Sequence, residues 1–223
     1  HLCQEVSEVL AQGGSVFLYD QPQRTGWLTG WHQDLLAEVA AFCRARQALC
    51  FKTETIPQVA ILHSEASYYS RNANLYDMAG ANEAMEGALH AVIENGYSAD
   101  ILNEEELIAR MDQYPMIVVP EQEGMSARMA DALKDYVTGG GQLILTGAHV
   151  SRDLPDLVQA TPVEGGVLGM GYLPVDNGCV TAMGPYQEVK LAGAQAIAPL
   201  LYQQEPERNQ SAVTAATLAT IGQ

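Results

Sequence analysis

Positive charge is scarce in this chain of 223 residues. It has 11 Lys and Arg against 27 Asp and Glu, for a net charge of −16. A nucleic-acid backbone is held by clustered Lys and Arg, so this balance argues against nucleic acid and none is expected as a partner. Long apolar runs are missing too. No stretch approaches the roughly 20 residues that cross a bilayer as a helix, and no membrane partner is expected. Cysteine is limited to Cys3, Cys43, Cys50 and Cys179, with no C-x-x-C pair. That spacing argues against a thiolate metal site and a dense disulfide framework. Packed free thiols are expected; a Cys43–Cys50 bridge, and with it the redox compartment, stays open. The chain also has no P-loop, no G-x-G-x-x-G after a strand, no H-E-x-x-H and no G-x-S-x-G. The glycines of "VEGGVLGMGY" open no helix, so they make a poor phosphate loop. Neither a cofactor nor a metal is expected.

What is present points to a packed α/β protein. Hydrophobic residues make up 48% of the chain, enough for a sizeable core and too many for disorder. The length allows one large domain, or one domain plus a fragment of another. "HLCQEVSEVL" keeps helical spacing through Leu2, Val6, Val9 and Leu10 and lacks the basic start and apolar block of a signal peptide. The chain thus opens inside a helix, and "AATLATIGQ" closes it at what looks like the start of a hairpin. Both ends are expected to continue into a longer protein.

Gly13 and Gly14 end the first helix. "SVFLYD", residues 15–20, reads as a short strand buried on both faces. The Pro/Gly loop "QPQRTGWLTGW" precedes a helix with Leu35, Val39, Phe42 and Arg46 in step. Pro57 favours an extended entry and marks a boundary, giving regions 1–56 and 57–223. The second region starts with the strand "VAILHS" and a long aromatic loop, "EASYYSRNANLYDM". A helix carrying Ala81, Ala84, Met85, Ala88, Leu89 and Val92 follows and closes at Gly96. "SADIL", "MIVVP" and "QLILTG" read as further strands. Between them lie an acidic helix over residues 104–111 and a helix capped by Ser126 and ended by Gly139, Gly140 and Gly141. Solid apolar strands alternating with helices imply a doubly wound, mainly parallel sheet with helices on both faces. Beyond residue 153, candidate strands lie near 166–172, 179–183 and 213–221, and residues 199–202 read as the close of a short helix.

In such a sheet, ligands bind off the carboxyl ends of the strands. Those ends carry His63-Ser64-Glu65, Glu121-Gln122-Glu123, and Thr146 with His149. A sharp strand-to-helix turn can expose a nucleophile beside backbone N–H groups. Here position 148 of Thr146-Gly147-Ala148-His149 is Ala, which offers no nucleophile. His149 is then a capping or surface residue, or part of a polar pocket with the carboxylates Glu65 and Glu121. Tyr68, Tyr69, Arg71, Asn72 and Tyr76 suit stacking on a sugar or covering a partner, or pack as an Ω-type loop on their own domain. Asp20, Gln21, Gln23 and Arg24 follow the first strand and would lie on a catalytic rim if that strand belongs to a barrel.

These residues also carry a resemblance. "VAILHS" and "YPMIVVPEQEGMSARMADALKDYVTGGGQLILTG" resemble the trimerisation domain of bacterial β-galactosidases and related glycosidases. That domain looks like a flavodoxin-like fold of the class I glutamine amidotransferase type without its catalytic machinery. "EVLAQGGSVFLYDQPQRTGW" looks like the last unit of the glycosidase (β/α)8 barrel, and "AATLATIGQ" like the family's late strand. The resemblance implies a fragment of a bacterial glycoside hydrolase, soluble, cytoplasmic or exported, that forms homo-oligomers and meets carbohydrate through its parent enzyme. It implies no catalytic residue in this chain. Weak substrate contacts are expected from Asp20, Gln23, Arg24, Glu65, Tyr68, Tyr69, Glu121 and His149. The residues alone also allow an autonomous amidotransferase-like hydrolase built on His149, Glu65 and Glu121. A third reading is a carbohydrate-binding module using Tyr68, Tyr69, Trp27 and Trp31.

Overall fold

The computed structural model describes residues 1–72, 82–176, 178–204 and 212–222. The chain divides into two units, His1–Ile56 and Pro57–Gln223. The first unit consists of α1 (Leu2–Ala11), α2 (Gly30–Cys50) and irregular segments. The helical periods read from the sequence fall inside these two helices. Of their apolar residues, Val6 and Val39 are fully buried. The segment 15–20 corrects the expectation of a strand. It is extended but unpaired, and Phe17 is 86% exposed and Tyr19 72%. A strand buried on both faces needs neighbours to satisfy its backbone N–H and C=O groups, and this unit contains no second strand.

The second unit begins with β1 (Val59–Leu62), α3 (Glu65–Arg71), α4 (Glu83–Glu94), β2 (Ala99–Leu102) and α5 (Glu104–Arg110). A 3-10 turn at Met111–Gln113 leads into β3 (Met116–Pro120), α6 (Ala127–Thr138) and β4 (Gln142–Thr146). These strands pair in parallel in the order β2-β1-β3-β4. Side chains alternate across a strand, so Val59, Ile61 and Val118 meet Met85 of α4 on one face. On the other, Ala60, Leu62, Ile117 and Val119 meet Leu107 of α5 and Met129 and Leu133 of α6. Helices therefore cover both faces, as the apolar runs implied.

Two local features depart from expectation. The stretch after β1 is α3 where a loop was expected, because Ser64 accepts from the Ser67 N–H and so supplies an N-cap. Tyr76 and Ala81 lie outside the described residues. The three glycines after α6 have separate causes. Gly140 takes φ +97, which a side chain resists, and a Cβ at Gly141 would lie 2.2 Å from the Tyr136 ring. Gly139 has an ordinary helical φ of −75.

Two short helices follow, α7 (Val150–Asp153) and α8 (Pro155–Val158). Then come β5 (Ala160–Val175), β6 (Gly178–Leu191), β7 (Gln195–Leu201) and β8 (Ala212–Leu218). They form an antiparallel sheet in the order β6-β5-β7-β8. The expected short helix at 199–202 is instead the end of β7, whose Pro199 sits opposite Thr214 at a register shift. Pro lacks an N–H, and such irregularities are where a strand tolerates it. The second four-stranded sheet is antiparallel and stands beside the parallel sheet that the sequence implied. The fold is mixed α/β, with one parallel and one antiparallel sheet. β6 forms an edge of the latter and carries Pro185 and Lys190.

Candidate functional site

The carboxyl ends of β1 and β3 are filled by side chains that hydrogen-bond one another. After β1, the Ser64 N–H donates to Gln122 Oε1 at 2.7 Å, and Gln122 Nε2 donates to the Pro120 carbonyl at 2.8 Å. Both Ser64 and Gln122 are buried. Ser64 Oγ donates to Glu104 Oε1 at 2.6 Å, while Ser126 Oγ donates to the other carboxylate oxygen at 2.5 Å. Ser64 caps α3, Glu104 opens α5 and Ser126 caps α6. One carboxylate therefore ties together the N-terminal ends of three helices, where the peptide dipoles favour negative charge. Ser67 Oγ closes the other side by accepting from the Glu123 N–H at 3.1 Å.

The turn after β4 has the shape of a nucleophile elbow with its central space occupied. Gly147 takes φ +120, and a Cβ there would lie 2.6 Å from His149 Cε1. His149 folds back beneath the turn and is buried. Its Nδ1 is 3.6 Å from Glu123 Oε1, too far for a hydrogen bond but close enough for an ion pair when the ring is protonated. Glu121 takes φ +51, its N–H donates to the Thr146 carbonyl at 3.1 Å, and its own carbonyl accepts from Arg71 Nη2. Its side chain is exposed, as is that of Glu65 in the first turn of α3. Among the described residues no hydrogen bond or ion pair joins the side chains of Glu65, Glu121 and His149. The Tyr68 ring packs edge-on against His63 and Tyr69, with centroids 5.4 Å apart in each pair. Tyr69 itself is exposed.

The first unit holds the remaining candidates. Asp20 Oδ1 lies 3.0 Å from His32 Nδ1, and Gln33 Nε2 donates to Asp20 Oδ2 at 3.4 Å. Gln23 Nε2 donates to Thr29 Oγ1 at 3.1 Å, and Arg24 is exposed. The sequence did not mark His32, Ser67 or Glu104. For Glu104 a signal existed: Asn103 begins an acidic helix, and a cap acidic at its first residue sits where neighbouring hydroxyls can reach it. Among the described residues no group of three or more His, Cys, Asp or Glu is placed to hold a metal. No described helix is long and apolar enough to cross a membrane. All four cysteines are free thiols.

The strand-end site is filled by side chains that bond one another, and position 148 is Ala. A model of the β-galactosidase trimerisation domain matches residues 57–170, just over half of the chain. The chain belongs to the β-galactosidase trimerisation domain family. No curated protein sequence matches it significantly. Several solved structures share its fold. α-L-Fucosidase isoenzyme 2 from Paenibacillus thiaminolyticus is 18% identical with a TM-score of 0.72, over 97% of this chain and 34% of that one. A catalytic mutant of Gan42B, a GH42 β-galactosidase from G. stearothermophilus, is 15% identical with a TM-score of 0.72, over 99% and 36%. The β-galactosidase of the haloarchaeon Halorubrum lacusprofundi is 19% identical with a TM-score of 0.60, over 90% and 31%. The trimerisation-domain chain thus spans about a third of the length of these relatives.

Proposed function

We propose that the chain is a non-catalytic part of a bacterial glycoside hydrolase whose task is homo-oligomerisation. In this reading the second unit is a flavodoxin-like domain of the class I glutamine amidotransferase type that has lost its chemistry. The first is the last β/α unit of a (β/α)8 barrel, and the second unit walls that barrel's active site. The observation that carries the proposal is the occupied strand-end site. Ser64 and Ser126 spend their hydroxyl protons on Glu104, His149 fills the turn, and position 148 is Ala. A hydrolase needs a free nucleophile or an activated water within reach of a base; here the elbow position offers no hydroxyl or thiol, and the Ser64 and Ser126 hydroxyls are already engaged. The first unit supports the barrel reading through its exposed Phe17, Leu49 and Ile56, residue types that normally meet other elements. The antiparallel sheet supports association: Met170 and Met183 sit opposite each other across β5 and β6, with Met183 73% exposed.

Sedimentation equilibrium on the full chain tests the proposal. A concentration-dependent shift from monomer to trimer is expected, together with no turnover of nitrophenyl glycosides or glutamine. A chain that stays monomeric at high micromolar concentration, or that turns over either substrate, would overturn it.

A further inference from the structure

The described methionines fall into two groups. Met85, Met111 and Met129 are buried, and Met116 and Met125 are half-buried. Met170 on β5 and Met183 on β6 are 48% and 73% exposed, and they sit opposite each other across the two strands. Residues directly opposite in an antiparallel pair project from the same face, so the two thioethers are neighbours on it. The backbone beside them is uncrowded: a Cβ at Gly169 or at Gly184 would meet no atom within 4 Å. From Gly165 to Gln187 the one charged residue is Asp176. Neither methionine belongs to the cores on the two faces of the parallel sheet. The pair therefore offers two accessible sulfurs in an uncharged stretch that the core does not depend on.

We propose that Met170 and Met183 form a reversible oxidation site that switches this face of the sheet between apolar and polar. The oxidant is a hydroperoxide. The thioether sulfur attacks one peroxide oxygen, an S–O bond forms, and the O–O bond breaks. The proton on the transferred oxygen passes to the departing hydroxide, which leaves as water. The sulfur loses the two electrons that the peroxide gains. Methionine sulfoxide is polar where the thioether was apolar, and methionine sulfoxide reductases return it to the thioether. At Met129 the same reaction would break the core; at the pair it alters only the surface. The effect on contact between copies rests on the reading that the chain oligomerises through this sheet. The preference of the oxidant for these two sulfurs does not.

The full chain is treated with hydrogen peroxide, each methionine is followed by peptide mass spectrometry, and the same samples are sedimented. Met170 and Met183 are expected to take up one oxygen each before Met85, Met111, Met116, Met125 and Met129. Their oxidation should slow as protein concentration rises, since copies in contact cover them. Association of the oxidised chain should be weakened about tenfold or more, because burying one methionine side chain is worth at least that factor in affinity. Methionine sulfoxide reductases acting on both sulfoxide epimers should restore it. That recovery separates the sulfoxides from oxidation of the four cysteines, which these enzymes leave unrepaired. A chain carrying both Met170→Leu and Met183→Leu, compared with itself before and after peroxide, should show no change. Equal oxidation of buried and exposed methionines, no recovery with the reductases, or undiminished peroxide sensitivity in the double variant overturns the proposal. A chain that associates equally well before and after oxidation overturns it and leaves the oligomerisation reading intact. A chain that is monomeric in both states overturns both.

Discussion

Glu104 carries more of the strand-end architecture than any other residue. Its two carboxylate oxygens hold Ser64 and Ser126, which are far apart in sequence and cap different helices. Charge-assisted hydrogen bonds of this kind are worth more than neutral ones. Glu104→Gln keeps the shape, loses the charge and can accept through only one oxygen. It is expected to lower stability by about 2 kcal/mol, read as a lower urea midpoint with an unchanged m-value. Gly147→Ala should cost as much or more, because the new methyl meets His149 and the backbone resists φ +120. Circular dichroism melts of that variant would test it, and an unchanged melting temperature would refute the contact. At this scale the sequence was partly legible. Ser126 as a cap and the missing nucleophile at Ala148 follow from local chemistry. The Glu104 bridge does not, because it joins segments whose proximity only the folded sheet creates.

Helices and strands were more legible than single contacts, and the exceptions have a common cause. β1, β3 and α6 announce themselves through solid apolar runs, periodic spacing and a capping serine. Residues 15–20 carry the same apolar signal, but a strand is a partnership and none is present in that unit. Pro199 pointed to a helix end, while β8 supplied a partner that overrode the local preference. The packing of α6 on the sheet gives a direct test. Leu133 is fully buried against the parallel sheet, so Leu133→Ala should destabilise the second unit by about 3 kcal/mol, measured by urea unfolding. The segment joining α5 to β3 is expected to be sensitive to alkali. Tyr114 is buried, and its hydroxyl donates to Asp100 Oδ2 at 2.7 Å. Burial first, and the Asp100 hydrogen bond second, push its pKa up to about 12. The unfolded value is about 10, so the folded state holds this proton more tightly. The resulting stability is fully present below pH 10 and is lost as pH rises from 10 towards 12. Unfolding midpoints measured between pH 9 and 11.5 should therefore fall steeply in the wild type and less steeply in Tyr114→Phe.

For the whole molecule, charge and apolar surface act against each other. A net charge of −16 makes copies repel, while Met170, Met183, Val180 and Ile197 are exposed on the antiparallel sheet. Added salt screens the repulsion within a Debye length of about 10 Å at 0.1 M. Association should thus strengthen as NaCl rises from 20 to 300 mM, and Met183→Glu should weaken it at every salt concentration. Sedimentation at those concentrations decides both. A dissociating effect of salt would mean that ion pairs, not apolar contact, hold the assembly.

The free edge of β6 bears on how large such an assembly can grow. An edge strand with its full set of N–H groups invites another strand to extend the sheet, and each addition exposes a fresh edge. Pro185, which has no N–H, lies at the register shift between β5 and β6, and Lys190 adds a charge that must be desolvated when a second strand arrives. Growth along this edge is thereby discouraged, and contact through faces is of the kind that symmetry can close into a ring of a few copies. Restoring the missing donor with Pro185→Val would shift the balance from a closed particle towards open-ended fibres, seen as slow thioflavin-positive turbidity.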